Sequence, residues 1–157
     1  MADQLVRHIE IRELPMQHVL RIREHLRMEE LATRIPADLR ELHEYLVSQG
    51  IRPMGPPYLQ CPEPDATRTV DAEIGWPVDR ERPGAGRIEP ATLPAGRVAW
   101  TEHVGSYDTI DKTYAALFEW IGRNGHVPAG PPRELYVTGP EVTDPSKIVT
   151  EVIAPIR

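Results

Sequence analysis

The stretch Gly50-Ile51-Arg52-Pro53-Met54-Gly55-Pro56-Pro57 returns 75 residues later as Gly125-His126-Val127-Pro128-Ala129-Gly130-Pro131-Pro132. A Gly followed at fixed distances by Pro, Gly, Pro and Pro is too particular to arise twice from composition, even with 17 Pro in the chain. The match extends outward in order, as an internal repeat must. At the same spacing Leu42, Glu44 and Tyr45 fall on Leu117, Glu119 and Trp120. Further upstream, Ile9, Glu10, Leu14, Pro15 and Val19 fall on Ile88, Glu89, Leu93, Pro94 and Val98, now 79 apart. Downstream, Tyr58, Pro62, Glu63, Glu73 and Pro77 fall on Tyr136, Pro140, Glu141, Glu151 and Pro155, 78 apart. The chain reads as a tandem duplication within a single domain spanning 1–157: a first repeat over 5–78, a polar linker over 79–86, and a second repeat over 87–157.

Each repeat carries the same series of elements. Alternating apolar and polar residues predict strands over 6–14 and 16–25. Leu31, Ile35, Leu39, Leu42 and Leu46 then form a helical stripe that Gly50 ends. Two more strands follow, near 58–61 and 69–76. The second repeat gives strands over 87–93 and 96–103, and a helix over 107–124 with Ile110, Tyr114, Leu117 and Ile121 buried. Gly125 closes that helix, and strands follow over 134–138 and 147–156. The expected fold class is α+β: about eight antiparallel strands and two main helices, with a pseudo-twofold central cleft. Strand–helix–strand alternation is missing, which argues against a parallel sheet, and clefts between repeats are common ligand sites.

Composition narrows the function. At 157 residues the chain is long enough for a real core. It contains no apolar run of the roughly 20 residues that span a bilayer, and no secretion signal. The lone Cys61 excludes an internal disulfide, and a cytoplasmic location is expected. Net charge is −6, with basic residues scattered among acids, so no basic patch for nucleic acid is expected. His8, His18, His25, His43, His103 and His126 lack ligand spacing, and no metal site is expected. Pro83-Gly84-Ala85-Gly86 precedes no helix, so it is no phosphate loop, and no cofactor is expected.

The unusual residues concentrate in the second repeat. Trp100-Thr101-Glu102-His103-Val104-Gly105-Ser106-Tyr107 leads from a strand into the helix, and Pro131-Pro132-Arg133-Glu134-Leu135-Tyr136 opens another strand. On a strand Glu134 and Tyr136 share one face and Leu135 and Val137 the other. With Leu135 and Val137 placed under the helices, Glu134 and Tyr136 point to the cleft. At a spacing of 78, Tyr136 pairs with Tyr58 and Glu151 with Glu73, whereas Glu134 pairs with Pro56 and is an acid that one repeat alone possesses. A desolvated carboxylate favours a cation or else takes up a proton, and aromatic rings add about 0.5–2 kcal/mol of cation–π attraction per contact.

His103-x-Gly105-x-Tyr107, the helix ending in Trp120-Ile121, the Gly-Pro-Pro block from Gly125, Glu134-x-Tyr136, Thr150-Glu151-Val152 and Pro155-Ile156 together resemble the GyrI-like small-molecule-binding domain family. The same domain serves as the effector-binding part of MerR-type and AraC-type multidrug regulators. The resemblance covers nearly the whole chain and is strongest over 99–156. It implies a duplicated strand–helix–strand–strand (SHS2) module that binds bulky, aromatic, often cationic compounds, with Glu134 meeting the positive charge. The expected ligand-binding residues are Glu134, Tyr136, Trp100, Tyr107, His103 and Trp120. No helix-turn-helix precedes the first strand, so direct DNA binding is not expected. Two further readings accompany binding: a hydrolase opening strained cyclopropane rings, with Glu134 and Tyr136 catalytic, and an interaction inhibitor of a separate protein partner such as DNA gyrase.

Overall fold

Leu42 and Leu46 on one helix, and Leu117 and Ile121 on the other, lie on a single face at i, i+4 spacing and are almost fully buried. The computed structural model describes residues 8–62 and 66–157. Its elements are β1 (Glu10–Leu14), β2 (Gln17–Arg27), α1 (Leu31–Ser48), β3 (Tyr58–Gln60), β4 (Thr69–Val78), β5 (Glu89–Leu93), β6 (Gly96–Val104), α2 (Ile110–Arg123), β7 (Arg133–Tyr136) and β8 (Val149–Pro155). The fold is α+β as expected, with two main helices and eight strands whose pairings are antiparallel. Residues 6 and 7 of the expected first strand, and Glu63 of the repeat match, lie outside the described residues. Gly50 and Gly125 end the helices with φ of 65° and 77°, a conformation that costs other residues a steric penalty.

The chain forms two compact units. One joins the N-terminal segment up to Leu14 to Gly96–Arg157, and the other is Pro15–Ala95. The first has strand order β1-β6-β8-β7 with α2, the second β5-β2-β4-β3 with α1. The spatial units and the sequence repeats are therefore different segments. The first strand of each repeat pairs with strands of the other: β1 with β6, and β5 with β2.

Register corrects one part of the repeat alignment. Tyr58 stands opposite Gly75, whereas Arg133 stands opposite Ile153. Gly75 and Ile153 are 78 apart, so β3 and β7 match at 75, the spacing of the Gly-Pro-Pro block. Leu59, not Pro56, holds the place of Glu134, and Cys61, not Tyr58, that of Tyr136. The physical reason is three extra residues between β7 and β8, which shift the downstream spacing without altering either strand.

The helix stripes also differ in detail. Asp38 rather than Leu39 is fully buried on α1, and Thr113 completes the buried row on α2. In the unit containing α2, Ala99, Val152, Ala154 and Ile156 pack with Leu117 and Ile121. A separate cluster of Val98, Trp100 and Ile153, with Leu14 and Leu135, occupies the other face of the same strands. Among the described residues no helix is long and apolar enough to cross a membrane.

Candidate functional site

The side of β7 that carries Glu134 is decided by register. Glu134 lies opposite Val152 and Tyr136 opposite Thr150. Directly opposed residues share a face, and Val152 belongs to the cluster under α2. Glu134 and Tyr136 therefore face α2. Leu135 packs on the far side with Trp100 and Ile153, and Val137 is exposed. This reverses the expected orientation of the strand. The expectation rested on apolar residues seeking the helix, but here both faces of β7 are covered and the longer apolar side chain takes the other one.

α2 supplies a partner, Tyr114, that the sequence reads as helix stripe and as one of the aromatic residues clustered in the second repeat, without linking it to Glu134. The Tyr114 hydroxyl donates to Glu134 Oε2 at 2.7 Å, and the Tyr136 hydroxyl donates to Oε1 at 3.1 Å. Tyr114 belonged to the expected buried stripe of α2. Its distance of 20 positions from Glu134 gave no hint of contact, and only the pairing of β7 with β8 brings the two together. Tyr107, in the short 3-10 turn Tyr107–Thr109 before α2, meets the Tyr136 ring edge-on, with centroids 5.9 Å apart and planes at 84°. One carboxyl thus sits among three phenols.

Burial pushes the Glu134 carboxyl above its ordinary range, while the hydrogen bonds from Tyr114 and Tyr136 pull the other way. The Tyr136 phenol is driven well up by burial and by the Glu134 charge, and Tyr107 is also raised, chiefly by burial. Among the described residues the ion pairs leave Glu134 out, and the basic group that acts on it electrostatically is His103. The site is therefore an acid with hydrogen-bond donors and aromatic edges but no protein cation against it.

The remaining expected residues are placed as follows. His103 is buried, with Nδ1 2.6 Å from Thr113 Oγ1 and Nε2 2.8 Å from the Ser106 carbonyl oxygen. Trp100 is on the face away from α2, with the Arg12 guanidinium 3.6 Å above its ring. Trp120 packs at the margin of the α2 cluster and stacks on His126 at 6.2 Å. The structure thus brings Glu134, Tyr136, Tyr107 and His103 together with Tyr114. It sets Trp100 apart, because Trp100 alternates with Ala99 and Thr101 along β6 and only those neighbours face the helix. Among the described residues no group of three His, Cys, Asp or Glu is arranged to hold a metal ion.

Residues 7–157 match the family model described as the GyrI-like small molecule binding domain. No curated protein is a significant match in sequence. Among solved structures, EcmrR in its DNA complex aligns with a TM-score of 0.84 at 20% identity, over 98% of this chain and 58% of that one. The chain thus spans less than two thirds of that EcmrR chain. The EcmrR C-terminal domain aligns with a TM-score of 0.83 at 21% identity, covering 97% of this chain and 98% of that domain. SAV2435 bound to tetraphenylphosphonium gives 0.65 at 16% identity, over 96% and 94% of the two chains. At these identities the likeness is one of fold.

Proposed function

The chain belongs to the GyrI-like family of small-molecule binding domains, and from that premise we propose that it binds bulky, lipophilic, aromatic cations, with Glu134 receiving the positive charge. The observation that carries this reading is the Glu134 carboxyl itself, half-buried on the side of β7 toward α2 and held by two phenols with no protein cation against it. A carboxylate drawn part-way out of water is less favourable until a counter-charge arrives. Tyr107, Tyr114 and Tyr136 offer ring edges and faces to an aromatic ligand, and cation–π contact adds about 0.5–2 kcal/mol each. SAV2435, of similar fold, is seen with such a cation, tetraphenylphosphonium.

The two units, with their matching strand order and register, are read as one module duplicated, together making a single domain that acts in the cytoplasm. The ligand's partners on the protein are Glu134, Tyr136, Tyr107 and Tyr114, with His103 behind them. A hydrolase alternative calls on the same two residues, Glu134 to orient a water and Tyr136 to hydrogen-bond a developing oxyanion, and no further feature of the site favours it.

The test is titration calorimetry with tetraphenylphosphonium and with rhodamine 6G. Glu134→Gln keeps the shape and removes the charge, so it weakens both cations by about tenfold or more, the worth of one desolvated charge contact. Unchanged affinity in that variant removes Glu134 from the binding role.

A further inference from the structure

His103 does two jobs with one ring. Nε2 faces the Ser106 carbonyl at 2.8 Å, and a carbonyl only accepts, so Nε2 must carry the hydrogen. Nδ1 faces the Thr113 hydroxyl at 2.6 Å. The ring is therefore a strut from β6 to two points, the turn before α2 and the face of α2 itself. The same Ser106 carbonyl also accepts from Thr109 Oγ1 at 3.1 Å, and the Ser106 hydroxyl oxygen accepts from Asp108 N at 3.1 Å.

Tyr107 follows Ser106 directly. It is 44% exposed, so burial alone does not fix it. Before Ser106 stands Gly105, with φ of 125°, where the backbone can pivot. We infer that His103 is the positioning residue of the binding site: by holding the Ser106 carbonyl it keeps the Tyr107 ring edge-on against Tyr136, beside Glu134. This rests on the binding role proposed above. The unit with α1 shows the contrast. By register, Glu24 takes the place of His103 there, and the 3-10 turn before α1, Met28–Glu30, opens with Met28 where the turn before α2 opens with Tyr107. The aromatic flap and its imidazole strut occur together in one unit and are both replaced in the other.

The experiment compares His103→Leu, His103→Gln, Tyr107→Ala and the double variant His103→Leu/Tyr107→Ala in the full chain. The Gln side-chain amide nitrogen reaches where Nε2 does and still donates to Ser106. Without ligand, nuclear Overhauser contacts between the Tyr107 and Tyr136 rings persist in the wild type and His103→Gln and vanish in His103→Leu. With rhodamine 6G, His103→Leu and Tyr107→Ala each weaken binding about tenfold and His103→Gln by less than about twofold, while His103→Leu adds less than about twofold once Tyr107 is gone, since both act through one contact.

Ring contacts that survive in His103→Leu overturn the inference. So does the full loss of affinity recurring in the Tyr107→Ala background. If the wild type binds no rhodamine, the binding role falls, and the ring contacts still decide the part played by His103. Should His103→Leu lose native spectral dispersion, His103→Phe takes its place, keeping a planar ring while removing the donor to Ser106, with loss of the Tyr107–Tyr136 contacts again required.

Discussion

A single carboxyl can be moved in opposite senses by burial and by hydrogen bonding, and Glu134 is a case where burial wins. Its folded-state pKa lies above the unfolded one, so its stabilising contribution is present at low pH and is lost as pH rises through the folded value. A bound cation reverses that preference. Affinity for tetraphenylphosphonium should therefore rise as pH increases through the Glu134 titration, with protons released on binding. Calorimetry in two buffers of different ionisation enthalpy reads that release, and pH-independent affinity without proton release contradicts it. The other unit carries a buried acid of its own, where the first unit has the His103–Thr113 contact. Glu24 corresponds to His103 by register, and Asp38 to Thr113 at the helix spacing of 75. Arg87 donates to Asp38 Oδ1 at 2.9 Å and Arg34 to Glu24 Oε2 at 2.9 Å. Asp38 is fully buried, and burial and the bond to Glu24 raise it from its ordinary 3.8 to about 6. Its proton stabilises the fold below pH 4, and that gain disappears as pH climbs through about 6. Asp38→Asn keeps a donor toward Glu24 and cannot titrate. Urea unfolding at pH 5 and 8 should show a smaller difference in the variant than in the wild type; an unchanged difference rules Asp38 out as its source. Glu134 was legible in the sequence because the repeat supplied no acid to match it. Tyr114 was not, because its spacing from Ile110 and Leu117 already explained it as helix core.

Among the elements, β4 shows how one small residue admits a large one. Gly75 lies opposite Tyr58, and a Cβ there would stand 2.5 Å from the Tyr58 hydroxyl. That hydroxyl donates to Glu73 Oε2 at 2.6 Å, and Glu73 Oε1 pairs with Arg21 at 3.1 Å, which in turn pairs with Glu89. Gly75→Ala should therefore displace the buried ring and cost about 1–3 kcal/mol in chemical denaturation, as overpacking does. A loss within the error of the measurement means the ring has room to move. The elements themselves were largely legible: both helices, their glycine ends and the succession of strands along the chain follow from periodicity and punctuation. The facing of β7 was not. Glu134-Leu135-Tyr136 alternates in a way that fits either face, and only register against Val152 and Thr150 chooses between them.

For the whole chain, the duplication-like pattern announced two halves, but the two halves of the sequence are not the two halves of the molecule. No local signal marks β1 as a partner of β6 rather than β2, because Leu14-Pro15-Met16 serves a hairpin and a crossing between units equally well. That crossing has a consequence for how the protein is born. Pro15–Ala95 is continuous and holds β2 to β5, so it has all its strands as soon as it leaves the ribosome. β1 has to wait for Gly96–Val104 before it has an edge to join, and its unit closes only when β8 arrives. At about 5–20 residues per second, β1 stays without its partner strand for several seconds, and the Glu134 site, built wholly in that unit, forms only after the unit of α1 has all its strands.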